Sequence, residues 1–283
     1  MEPRTNTITD PEFRLVLPGD APNVAIVRQA TAGALAVLGV GESRLLDVNA
    51  AVSEACNNVV VHAYPDDSGP MEIRLWIGAE EIAVLVSDRG VGIRPNRPAP
   101  KLELQGLGLS LIQTLTDRVA FLGGAGEGTQ VRMGFSLDGS SPASPASAPP
   151  EEELEVESPP GEFTVAVSAG PLAAPVLGRV IAMLAARAGF SLEGVSEAQL
   201  VTDSLAAHVP RAAVGDEVQL GIEAAEDELV VNVGPLEDGG AQRVLDSSMA
   251  GDLPPVLERL TRERRVERHG DGELFRLTLV NPD

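Results

Sequence analysis

Three short stretches carry residues whose types and spacing can do chemistry together. The first is EACNNVVVHAY, residues 54 to 64. On a helix, Glu54, Asn58 and His62 are four apart and share one face. The second is DRGVGI, Asp88 to Ile93. Here a carboxylate ends an apolar run, and Gly90 and Gly92 let the backbone turn sharply and come close to a ligand. The third is GLGLSLI, where Gly106, Leu107, Gly108 and Leu109 open a helix. Glycines combined with the free N–H groups of a helix start make an anion site. Each stretch alone is ordinary: a solvated helix face, a turn after a strand, a helix start. In this order and at this spacing they describe a nucleotide pocket.

The elements that must position these groups follow from hydrophobic periodicity. FRLVLP alternates as a strand, and Ala21 to Leu38 has apolar residues at helical spacing. A second helix runs from Arg44 to about His62, with Ser43 as its N-cap. Leu45, Val48, Val52, Ala55 and Val59 form its apolar stripe, which packs on a sheet and turns the Glu54–Asn58 stripe toward a cleft. MEIRLWI and EIAVLVSD form a hairpin, and RVAFLG and TQVRMGFSL form another around GAGEG. Leu107 to Thr116 is a short helix. The loop RPNRPAPKLELQ lies between the second and third stretches as a lid. Its Lys101, Arg94 and Arg97 are candidate phosphate contacts, although loop cations are ordinarily just solvated.

Residues 138–160 are Ser-, Pro- and Glu-rich with few large apolar side chains, the composition of a flexible linker. They separate residues 1–137 from residues 161–283. The second part repeats the pattern of the first: a strand at EFTVAVSAG, helices over 171–188 and 195–208, a hairpin EVQLGIEA/ELVVNVG, a short helix over 253–261, and a last hairpin RRVERHG/ELFRLTLV. The expectation is a tandem duplication. Each copy is an α/β two-layer sandwich, with a mixed, mostly antiparallel sheet and helices on one face. Aligning VTDSLAAH with EACNNVVVH on the shared histidine puts Leu200 and Ser204 at the Glu54 and Asn58 positions. On that alignment His62 has a structural role, because His208 keeps it where the other groups are gone. PLEDGG and DLPPVLERL stand where the glycine stretches belong, and proline lacks the N–H that would bind phosphate. The second copy is expected to have lost nucleotide binding.

Composition narrows the partners. The formal net charge is −21 and the sequence pI about 4.5, which argues against nucleic acid or an anionic membrane as a ligand. The single cysteine, Cys56, rules out an internal disulfide. No run approaches the apolar length of a membrane span, and no apolar signal core opens the chain, so a cytoplasmic location is expected. Neither a P-loop nor the HRD and DFG motifs of the Gly-rich-loop kinases occur.

The order EAC-N-N…HAY, D-x-G-x-G and G-x-G-L resembles the GHKL (Bergerat-fold) ATPase superfamily. The short lid makes it most similar to the bacterial anti-sigma-factor serine/threonine kinases, over roughly residues 13 to 137. That resemblance implies roles for several groups. Asn58 would ligate the Mg that bridges the ATP phosphates, and Glu54 would be the general base. Asp88 would accept a hydrogen bond from the adenine amine, with Gly90, Gly92 and Ile93 beside it. Lys101 and Gly106 to Leu109 would meet the phosphates, and Thr129 would support Asp88. It further implies ATP and Mg as cofactors, a sigma factor and an anti-anti-sigma (STAS-type) substrate as partners, and a homodimer or an intramolecular pseudo-dimer. The alternative is a nucleotide-gated protein-binding module without kinase turnover.

Overall fold

Along Glu12–Pro18 (β1), burial alternates residue by residue: Phe13, Leu15 and Leu17 are fully buried, while Glu12, Arg14 and Val16 are half-exposed. That period of two gives a strand with one face in a core. The computed structural model describes residues 12–65, 68–92, 107–124, 126–137, 158–247, 255–270 and 272–282. After β1 come the helices Asn23–Val37 (α1) and Glu42–Asn58 (α2), the latter running into a π-turn at Val59–Ala63. Strands Pro70–Ile77 (β2) and Glu81–Asp88 (β3), helix Leu107–Leu115 (α3), and strands Arg118–Leu122 (β4) and Thr129–Ser136 (β5) complete the first half.

The second half follows the same order. Phe163–Ser168 (β6), Ala173–Arg187 (α4) and Leu192–His208 (α5) lead through a 3-10 turn, Val209–Arg211, to Glu217–Ala225 (β7) and Glu228–Leu236 (β8). Then come Gly240–Ser247 (α6), Val256–Leu260 (α7), Glu263–His269 (β9) and Gly272–Val280 (β10). α6 is an addition to the expected pattern. Its sequence, GAQRVLDS, is short and mostly polar, and it buries only Gly240, Ala241 and Val244.

The ten strands among the described residues form a single sheet in the order β4-β5-β3-β2-β1-β6-β7-β8-β10-β9. Every pairing is antiparallel. The helices touch in the order α3-α2-α1-α4-α5-α7 and form one layer. The result is the expected sandwich, with the apolar core between the two layers. The halves meet at β1 and β6, where Phe13 faces Val167, Leu15 faces Val165 and Val16 faces Thr164. Gly33 in α1 gives room there to the Arg179 side chain, which donates to the Gln29 carboxamide at 3.1 Å. On the other face of the sheet, residues 158–160 lie against β7, and Asn232 Nδ2 donates to the Pro160 carbonyl at 2.8 Å. Residues 138–157 of the linker fall outside the described residues.

Ser43 is not a cap. α2 starts at Glu42, two residues before the expected Arg44, and Gly41 takes the N-cap position without a side-chain bond. A glutamate in the first turn instead complements the helix dipole. Among the described residues, no helix is long and apolar enough to cross a membrane.

Candidate nucleotide site

A cavity of about 400 Å³ opens where α2 gives way to its π-turn, over β3, β5 and β4. Its floor is a row of apolar side chains. The register sets Val86 beside Val131 and Val131 beside Phe121, so three neighbouring strands each present one residue to the same place. Ala55, Val59 and Ala63 supply the apolar wall from the helix, and Asn58 and His62 line the cavity beside them. A side-chain period of four holds as far as Asn58, and the wider π-turn then carries the chain on to His62 and Ala63. The Asn58 amide nitrogen is buried without a hydrogen-bond partner. Cys56, behind this face, is fully buried, and burial pushes its thiol up to about 12, which makes it a core residue rather than a nucleophile.

Asp88 ends β3 opposite Thr129 of β5. Burial pushes its carboxyl above the usual aspartate range. Hydrogen bonds from the Gly90 N–H, at 2.8 Å, and from the backbone and hydroxyl of Thr129 pull the other way. The turn that follows needs its glycines. Gly92 has φ of 71°, and a Cβ there would collide with the Gly124 carbonyl. A Cβ on Gly90 would strike the carbonyl of Ala63. One helical turn before Asn58, the Glu54 carboxylate rests on Gly108 in the first turn of α3, where a Cβ would displace it.

The structure therefore brings Asn58, Asp88, Gly92, Leu109 and Thr129 onto one cavity, with Gly90 beside it. Glu54 stands one helical turn before Asn58, against α3 rather than on the cavity wall. Ile93, Lys101 and Gly106, with Arg94 and Arg97, lie outside the described residues, and of Leu107 only the backbone, which begins α3, is described. The sequence reading missed Phe121, Val131 and the π-turn. Two residues inward from Asp88–Thr129 the register reaches Val86–Val131, and the hairpin partner of Val131 on β4 is Phe121, so both could have been found by following it.

Residues 17–135 match the histidine kinase-like ATPase domain family. The serine-protein kinase RsbW of Bacillus mycoides (strain KBAB4) is 32% identical over 123 residues, covering 39% of this chain and 77% of that protein. RsbW of Bacillus cereus (strain ATCC 10987 / NRS 248) has the same identity and coverage. The chain belongs to the anti-sigma kinase family of GHKL ATPases. Among solved structures, the RsbU and RsbW domains of a Mycobacterium tuberculosis protein match at 25% identity and a TM-score of 0.37, covering 45% of this chain and 32% of that one.

The family's motifs have no copy in the second half, and the structure identifies what replaces them. α1 and α4 correspond at a constant separation of 150 residues, Asn23 with Ala173 and Val37 with Arg187. α2 and α5 keep that separation, Glu42 with Leu192 and Asn58 with His208. Glu54 thus corresponds to Ser204, and Asn58 to His208. This corrects the alignment on the shared histidine and removes the argument that made His62 structural. The halves then fall out of step by one. Val91 N–H donates to the Ala63 carbonyl, and Glu237 N–H donates to the Ala212 carbonyl. The first half therefore uses one residue more between Asn58 and Ala63 than the second uses between His208 and Ala212. The π-turn is that extra residue; the second half has a 3-10 turn in its place. By strand register Asp88 falls at Pro235, since Val86 faces Ile73 and Val233 faces Leu220, the neighbours of Leu15 and Val165. Thr129 falls at Glu273, whose carboxylate accepts the Gly239 and Ala241 N–H groups at the start of α6, at 2.8 and 3.1 Å.

Proposed function

We propose that the chain is an ATP- and Mg-dependent protein serine/threonine kinase of the anti-sigma type, acting in the cytoplasm. It binds a sigma factor and phosphorylates a serine on an anti-anti-sigma, STAS-type partner. The observation that carries this reading is the cavity itself, with an apolar floor for a flat ring and Asp88 fixed at its rim by Gly90 and Thr129. The donor set fits a nucleotide with its ion. Asn58 lines the cavity, and its buried amide nitrogen, an N–H donor with no protein partner, suits a phosphate oxygen, while the amide oxygen is the group that would ligate the ion. No group of three His, Cys, Asp or Glu side chains able to hold a metal occurs among the described residues. An ion held mainly by phosphate oxygen and water, with one amide oxygen from the protein, is the kind of site magnesium takes.

The roles divide accordingly. Asp88 accepts from the exocyclic amine of adenine. Asn58 holds the Mg, which when bound neutralises phosphate charge. The start of α3, from Leu107 to Leu109, offers N–H groups to the phosphates. Glu54, beside that start, takes the proton of the attacking serine hydroxyl. Catalysis is then mostly positioning and charge stabilisation.

The test is transfer of label from γ-labelled ATP, with Mg, into a lysate of the native host. A small protein labelled on serine by the wild type and not by Asn58→Ala supports the kinase and delivers its partner. ATP binding by calorimetry without any transfer favours a nucleotide-gated binding module.

A further inference from the structure

Tyr64 has no part in the roles assigned above, yet its hydroxyl links three segments of the site. The hydroxyl accepts the Arg89 N–H at 2.9 Å and donates to the Pro70 carbonyl at 2.6 Å. Arg89 directly follows Asp88, and Pro70 starts β2, whose Met71 faces Asp88 across the ladder. The ring lies on a cradle of two glycines. A Cβ on Gly69 would collide with it, and a Cβ on Gly19 would sit 3.5 Å from its edge, while the Gly19 N–H donates to the Gly69 carbonyl at 2.8 Å.

The second half shows what this device replaces. There, the segment after the helix joins the end of β8 by backbone alone. Ala213 bridges Leu236, Val214 N–H donates to the Pro235 carbonyl at 2.9 Å, and Glu237 N–H donates to the Ala212 carbonyl at 2.8 Å. The first half keeps only the counterpart of the last bond, from Val91 to Ala63. It cannot make the other, because the residue in the place of Val214 is Pro65, which has no N–H. A phenol side chain spans the distance instead. The half that bridges by side chain has the cavity; in the half that bridges by backbone, a proline stands at the aspartate position.

We propose that Tyr64 is the positioning residue for adenine recognition. Its hydroxyl fixes the Asp88–Gly92 turn at a distance that leaves room for the base, and it acts through Asp88 without touching the nucleotide. This rests on the nucleotide reading given above. Removing the hydroxyl leaves the Arg89 N–H and the Pro70 carbonyl without their partner, and the aspartate loses its fixed orientation.

The experiment is calorimetry on the full chain with Mg and either ATP or GTP. For Tyr64→Phe, the ATP dissociation constant should rise on the order of tenfold. The preference for ATP over GTP should shrink with it, because the lost contact serves base recognition. A purely structural tyrosine would lower the unfolding temperature and leave that preference intact. Gly69→Ala provides a second route: it keeps the hydroxyl but pushes the ring off its cradle, and it should reproduce the same loss of preference. Unchanged ATP affinity and preference in both folded variants would overturn the proposal. A wild type that binds neither nucleotide would overturn the functional reading beneath it, a different and separable result.

Discussion

Asp88 carries a titration that the site's chemistry turns into two opposite trends. Burial holds its carboxyl above the usual aspartate range. The folded chain therefore keeps this proton more tightly than the unfolded chain. The sign follows from linkage: the contribution of Asp88 to stability without nucleotide falls as pH rises from the ordinary aspartate value through the raised one. ATP affinity moves the other way, since the ionised carboxylate accepts from an amine more strongly than the neutral acid does. Calorimetry between about pH 4 and pH 7 should find binding weakening on the acidic side sooner than an ordinary aspartate would require. Glu54 gives a cleaner separation. Glu54→Gln keeps size and hydrogen bonding but removes the base, so phosphotransfer should fall by about a hundredfold or more while the ATP dissociation constant stays within a factor of a few. These residues were legible because their types are rare together: Glu and Asn four apart, then an aspartate before two glycines. Tyr64 was not, because nothing in HAY says that a phenol will reach Arg89 and Pro70.

Secondary structure was legible where one face of an element is buried. β3 was read at the same bounds the structure gives it, because EIAVLVSD is apolar enough to have only one place to go. The π-turn was not, because an apolar pattern over a single turn does not distinguish a spacing of four from one of five. The shared histidine then misled the alignment, since His62 and His208 sit on opposite sides of that extra residue. The turn itself can be tested. Val61 is 65% exposed, so deleting it opens no cavity. It gives the first half the same length here as the second and moves Ala63 and Tyr64 out of place. Calorimetry should show ATP binding abolished, while circular dichroism reports the same helix and strand content. Retained binding would mean that the π-turn does not shape the pocket.

At the scale of the molecule, the β1–β6 ladder and the α1–α4 contact form a self-complementary interface. Leu15 faces Val165 and Gln29 meets Arg179, each pair 150 apart and so on a local axis, while Phe13, two residues before Leu15, faces Val167, two residues after Val165. This is the pattern of a two-fold interface, made here inside one chain. The sequence could not announce it, since strand pairing across this span leaves no mark on local periodicity. One contact breaks the symmetry and anchors the join. Asn23, fully buried, donates to the Pro18 carbonyl at 2.8 Å and accepts from Arg187 at 2.6 Å, and the Arg187 guanidinium also sits 6.0 Å from the Phe163 ring centroid. Asn23→Ala should cost about 1–3 kcal/mol, because the part-buried Pro18 carbonyl loses its donor and Arg187 its acceptor. Scanning calorimetry should then show a melting point lower by several degrees.

The single sheet has a consequence for how the protein responds to dilution. Two separate chains joined by such an interface come apart as they are diluted, and any activity that needs the pair fades with them. Here the second surface is tethered to the first, at an effective local concentration that for short flexible connections is of order millimolar. Specific activity should therefore hold level as the enzyme is taken from micromolar to nanomolar, with nucleotide bound at one equivalent per chain throughout. A kinase built this way would keep the same activity per molecule in a cell that makes only a few copies of it.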